Sequence, residues 1–273
     1  MLYSRFIMLH FAALIFAFWL LWLAPACAET LTDRLAVYPN WHHKPTTQAA
    51  RGDLAYPDWM AGTWELQTTL IDLVAPLAPG ITTPGFERNR DYLNQPIVFP
   101  VRFIRGQINP SSGPIPQPAS FGVVSDRAFN GLAIAKAYLG ADRVQSVKVD
   151  PTNPNRQVTI LKGNRQLEST ITDRAIETPD SQHFLTSELF QQVFRGTEQP
   201  YLNQVETTTS YTHQTDSTQN MPQTPMASGR SATIVADQIT AIYLSPKDPD
   251  YFRAGETPVA LYRYKLEFLP PQM

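Results

Sequence analysis

The chain has 273 residues, with 22 basic against 24 acidic side chains, a net charge of −2 and a pI near 6.2. Near-neutrality excludes a protein built to neutralise a phosphate backbone, and 43% hydrophobic residues exclude wholesale disorder. Charged residues are few at 17%, prolines many at 24, and the single cysteine excludes a disulfide framework.

Arg5 is followed by an apolar run from Phe6 to Leu23, then by Ala24-Pro25-Ala26-Cys27-Ala28. A positive start, an apolar stretch and a small-residue A-x-A site make a signal peptide over 1–28, cut after Ala28. The run is near the minimum membrane span, so a retained anchor is the alternative. Lipidation at Cys27 is a third reading, against which Ala24 stands where an aliphatic residue belongs. Cleavage would leave a mature chain without cysteine, which excludes thiolate zinc and cysteine catalysis. The expected compartment is outside the cytoplasm, the periplasm or a thylakoid lumen. Membrane contact is expected only through the signal segment if it stays uncleaved.

Residues 29–273 are expected to form a single β domain. Residues 29–61, with Pro39, Pro45 and Pro57, form an extended or lightly helical lead-in. From Gly62, Trp64, Leu66, Thr68 and Leu70 alternate with Glu65, Gln67 and Thr69, a half-buried strand. Ile97, Phe99, Val101 and Phe103 make a second, with Pro100 marking an edge or a bulge. Prolines at 110, 114, 116 and 118 predict a polyproline-like loop over 106–118. Ser125 is the expected cap of a helix over 126–139, stopped by Gly140. Strands are then predicted at 143–149, 156–162, 166–172, 183–195, 203–213, 231–245 and 258–269; Leu185, Leu189 and Val193 leave 183–195 open to a helical reading. The Gln/Thr/Ser-rich stretch 214–229 predicts a mobile loop. The whole reads as mainly β, an antiparallel barrel of about 8–10 strands with one inserted helix and a signal helix in front.

No residue pattern identifies a reaction. G-x-S-x-G, the phosphate-cradling loops and H-E-x-x-H are all absent. His42-His43 would point to opposite faces of a strand, and His183 is isolated. Glu188, Glu206 and Asp237 lie on different predicted strands, and acid–base work would need two of them in one cleft. Tyr211 and His213 share one strand face, and Tyr262, Tyr264 and Phe268 another. These five are the candidate cavity-lining residues. No cofactor, metal or nucleic-acid partner is expected.

Two resemblances add to this. Gly62-Thr63-Trp64 resembles the opening G-x-W of lipocalins and related calycin barrels. That likeness implies a tight glycine turn, a Trp64 that plugs the closed end of the barrel, and a late arginine stacked on it, with Arg263 the positional candidate. The T-D-Y motif and disulfides of lipocalins are missing. The segments Tyr56–Trp64, Ser125–Gly131 and Phe190–Gly196 are similar to an uncharacterised family of cyanobacterial and plastid proteins, which implies a thylakoid-lumenal or periplasmic setting and no catalytic residues. Two functions stand against each other, a calycin-like module binding a small apolar ligand (a lipid, pigment or quinone) and an assembly factor at the lumenal membrane face, with an enzyme of unrecognised type as a third reading that the missing motifs disfavour. A large apolar cavity favours the first and a packed interior the second.

Overall fold

In the computed structural model, residues 29–108, 120–196, 200–214 and 231–271 are described. The signal segment 1–28 with Cys27, nearly all of the 214–229 loop and most of the proline-rich loop lie outside them.

The chain is mainly β. After a short helix α1 (Leu31–Ala36) come strands β1 (Gln48–Ala49), β2 (Gly62–Val74), β3 (Pro96–Gln107) and β4 (Phe121–Ser125). Helix α2 (Arg127–Leu139) follows. Then β5 (Val144–Asp150), β6 (Asn153–Leu161), β7 (Arg165–Glu177), β8 (His183–Arg195), β9 (Tyr201–His213) and β10 (Ile234–Leu244) run as a meander. A helical turn α3 (Tyr251–Ala254) precedes the last strand, β11 (Ala260–Leu269). One antiparallel sheet holds the strands in the order β4-β3-β2-β11-β10-β9-β8-β7-β6-β5, with β1 added on β7.

The sheet curls into a half-barrel that its own hydrogen bonds do not close. β4 and β5 are its two edges, and α2 joins them, packing on β3, β5 and β6. This departs from the expected closed barrel: the seam is a helix. Pro100 is tolerated for the same reason. β4 pairs only with Phe103–Gln107, so at Pro100 one edge of β3 needs no strand partner. The ambiguous segment 183–195 is a strand throughout, paired along its length with both β7 and β9. β1, β4 and α3 were not anticipated; α1 falls in the lightly helical lead-in and opens on a capping box between Thr30 and Asp33.

One end of the barrel is packed. Leu54 and Met60, from the segment before β2, enter it and meet Phe103, Phe184, Ile234 and Phe268 from opposite walls. Gly62, at φ 127°, turns the chain into β2. On the outside, the strap containing α1 covers β10 and β11 with Trp41, against Ile239, Ala241, Tyr243 and Leu261. That cover explains why the outer face of β10 carries Ile239, Ala241 and Tyr243.

Candidate functional site

The other part of the interior is open. A cavity of about 610 Å³ lies between α2 and the concave face of β2, β3 and β6–β11. The helix contributes Gly131, Ile134, Ala135, Tyr138 and Leu139, one face at i, i+3, i+4, i+7 and i+8. Opposite stand Leu66, Leu167, Phe190, Phe194 and Tyr264, with Thr, Ser and Gln side chains between them. None of the described lining residues is charged. The inward residues Leu167, Phe190, Gln192 and Phe194 are only half-buried, because the space they face is empty of protein. Gly131 lets the helix seat closely, since a Cβ there would lie 2.7 Å from the Gln157 Nε2.

The interior charges sit beside the cavity and satisfy one another. Arg127 reaches Asp53 at 2.7 Å and Glu188 at 3.8 Å. Arg174 donates to Glu188 at 2.8 Å and to Asn155 at 3.0 Å. Burial by itself pulls the Arg127 guanidinium's pKa down, but the Glu188 and Asp53 carboxylates more than offset this and raise it. Glu206 is on the outer face, fully buried under the strap, and takes Arg34 at 2.7 Å through both oxygens, with Tyr243 donating at 2.7 Å. Asp237, also outside, is bidentate with Arg263. So the three carboxylates considered for acid–base work occupy three separate arginine pairs, and no two of them meet in a cleft.

The structure distributes the candidate lining residues widely. Tyr264 lines the cavity. Tyr211 and Phe268 belong to the packed end, 6.1 Å apart between ring centroids. Tyr262 packs on Phe86 and accepts from Asn89. His213 stacks on Trp59 at 5.3 Å with an interplanar angle of 2°. These four departures share one cause: the faces were assigned well, but the depth along the barrel axis was not visible in any single strand.

Trp64 is half-buried beside the packed end and its Nε1 donates to the Met60 carbonyl at 2.9 Å. The expected Arg263 partner is not there. Arg263 is in register with Asp72 on β2, eight residues from Trp64, about 26 Å at the usual strand rise. Its guanidinium lies over Tyr38 instead, 5.4 Å from the ring centroid. The helix cap also differs. Asp126, not Ser125, accepts from the Phe129 N–H at 3.2 Å, while the Ser125 Oγ accepts from Asn130.

The histidines hold no cluster: His43 Nδ1 is 2.9 Å from the Lys44 carbonyl and His183 pairs with Asp180. Among the described residues no group of His, Cys, Asp and Glu could hold a metal, and no helix is long and apolar enough to cross a membrane. Sequence reading missed every cavity residue but Tyr264, among them Tyr138, Gln157, Ser169 and the alternating Phe190, Gln192 and Phe194 of β8. Their period of two was present in 183–195, but the competing helical spacing hid it.

Comparison with known proteins finds one family model, a domain of unknown function designated DUF6816, matching residues 48–272. No curated protein and no solved structure matches the chain.

Proposed function

This chain belongs to the DUF6816 family, whose matched region spans the sheet and α2, and we propose that it is a non-catalytic binding module holding one small apolar molecule in its half-barrel. The observation that carries this is the cavity of about 610 Å³, apolar in most of its lining and free of charge among its described residues. That volume lies within the range of small-molecule sites. Lipids, pigments and quinones are the ligand class, and the G-x-W start makes a calycin-like mode of binding the model for it. Among the described residues Glu188, Glu206 and Asp237 are each held by an arginine and no two of them share a cleft, which supports binding over acid–base catalysis. The setting is an exported compartment, the periplasm or a thylakoid lumen, supported by the apolar run and the Ala26-Cys27-Ala28 site.

The test is native purification followed by organic extraction and mass spectrometry. One small apolar species at near-stoichiometric amount is the expected result. Its amount should fall in a Thr207→Phe variant, whose ring projects into the cavity and narrows it, while the melting temperature stays near the parent's. Protein recovered free of small molecules, but in a stoichiometric complex with membrane proteins, would overturn this reading in favour of the assembly role.

A further inference from the structure

Three of the cavity's polar side chains stand in one row. Gln157 on β6 is directly opposite Ser169 on β7, and Ser169 is directly opposite Gln192 on β8. All three line the cavity, and none makes a side-chain hydrogen bond to another described residue. The row continues to Asn203 on β9, whose buried Oδ1 has no partner among the described residues. On either side Leu167 stands opposite Phe194 and Ile171 opposite Phe190, with Thr159, opposite Leu167, the polar member of the first of these rows.

The polar atoms of these three half-buried side chains are within reach of solvent in the open cavity, so a ligand that displaces that water must replace its hydrogen bonds. Glutamine and serine each donate and accept, so they suit carbonyl or hydroxyl oxygen on a ligand. They offer no ion to balance a charged head. The nearest interior charges, Arg127, Arg174, Asp53 and Glu188, are already paired with one another. A carboxylate or ammonium head would enter this space without a counter-ion, which is the costly case.

Resting on the binding reading above, we propose that the cavity takes an uncharged amphiphile whose oxygen-bearing head hydrogen-bonds Gln157, Ser169 and Gln192 while its hydrocarbon lies against Phe190, Phe194 and Tyr264. Quinones and acylglycerols share this chemistry.

The experiment is displacement of the neutral dye Nile red from the purified protein at pH 9 by a matched series: 1-octadecene, oleyl alcohol and sodium oleate. The alcohol should displace at a concentration about tenfold below oleate, and about fivefold below octadecene, the latter being the size of one or two net hydrogen bonds. Gln192→Met, similar in volume, and Ser169→Ala should each shrink the alcohol's advantage over octadecene, with melting curves showing that both variants fold. Decylubiquinone and monoolein in the same assay then separate the two sources of the shared head chemistry. Oleate displacing as well as the alcohol, or octadecene doing so, overturns the neutral-head proposal and leaves the binding reading standing. If nothing in the series displaces the dye and the dye itself does not bind, the binding reading fails as well.

Discussion

Asn130 shows how one side chain can stand in for a missing strand. Its amide donates to the Arg102 carbonyl at 2.9 Å and accepts from the Arg102 N–H at 2.7 Å, just where β4 stops covering β3. Asn130→Leu leaves that N–H without its acceptor, so the variant should be about 1–3 kcal/mol less stable in a denaturant titration. Asp126 caps α2 and also takes Arg102 through its other oxygen at 2.9 Å. Asp126→Ala should therefore cost about 1 kcal/mol or more, and Ser125→Ala less, a ranking that reverses the expectation from sequence. At the outer face, Glu206→Ala leaves Arg34, itself 1% exposed, without its carboxylate. A loss of about 3 kcal/mol is expected, because Arg34 stays buried with only the part-exposed Glu29, 3.7 Å away, to balance it. A midpoint shift under 1 kcal/mol would show that the strap lifts and hydrates Arg34.

Helix α2 closes the half-barrel, so its packing determines whether a cavity exists at all. Ala at Gly131 gains about 1 kcal/mol of helix propensity. The cost is that its Cβ meets only the far end of Gln157, which can turn aside. Gly131→Ala should leave the denaturation midpoint within about 1 kcal/mol of the parent. Gly131→Leu cannot be accommodated this way; it must push the helix off β6, at about 1–3 kcal/mol. Equal midpoints for the two variants would mean that the helix does not seat on β6. The strap is the other closing element. Trp41 is 2% exposed, its Nε1 donates to the Arg34 carbonyl at 2.8 Å, and the Arg34 guanidinium lies 3.9 Å from its ring centroid. The family match begins at Gln48, after this strap. A chain started there should melt well below the parent and aggregate, because Ile239, Ala241 and Leu261 on the outer face lose their cover.

At the scale of the molecule, several tyrosines share one response to pH. Burial first, then neighbouring groups, pushes the Tyr56 and Tyr264 phenols up, and burial holds Tyr211 up at about 12 although Thr209 pulls the other way. The unfolded chain ionises its tyrosines near 10. The folded protein thus keeps protons that the unfolded chain releases, and these tyrosines leave stability unchanged below about pH 9. Above pH 10 it falls by about 1.4 kcal/mol per pH unit for Tyr211 alone until the folded group titrates near 12. Tyrosinate absorbance followed against pH should show a delayed class that appears together with unfolding. A single transition near pH 10 with the fold retained would show these rings to be solvated.

Sequence by itself determined every strand but the short β1 and β4, the boundaries of α2 to within a residue, and which residues face which way. Period-two alternation and a helical apolar face are local properties, written in neighbours two to four positions apart. It also grouped the residues that share a face on β9 and on β11, without showing the depth at which each one sits. Tyr211 and Tyr264 read alike in their strands, yet one is packed at the closed end and the other faces the cavity. Register decided that, and register depends on pairings between strands far apart in the chain, such as the last strand with the first long one. The same pairings sent Arg263 away from Trp64 to Asp237, and gathered Gln157, Ser169 and Gln192, three unremarkable residues on three strands, into one row. The seam, finally, was a tertiary decision: β4 and β5 cannot meet because the helix between them fills the gap, and the empty volume under that helix is what the sheet leaves when it curls without closing.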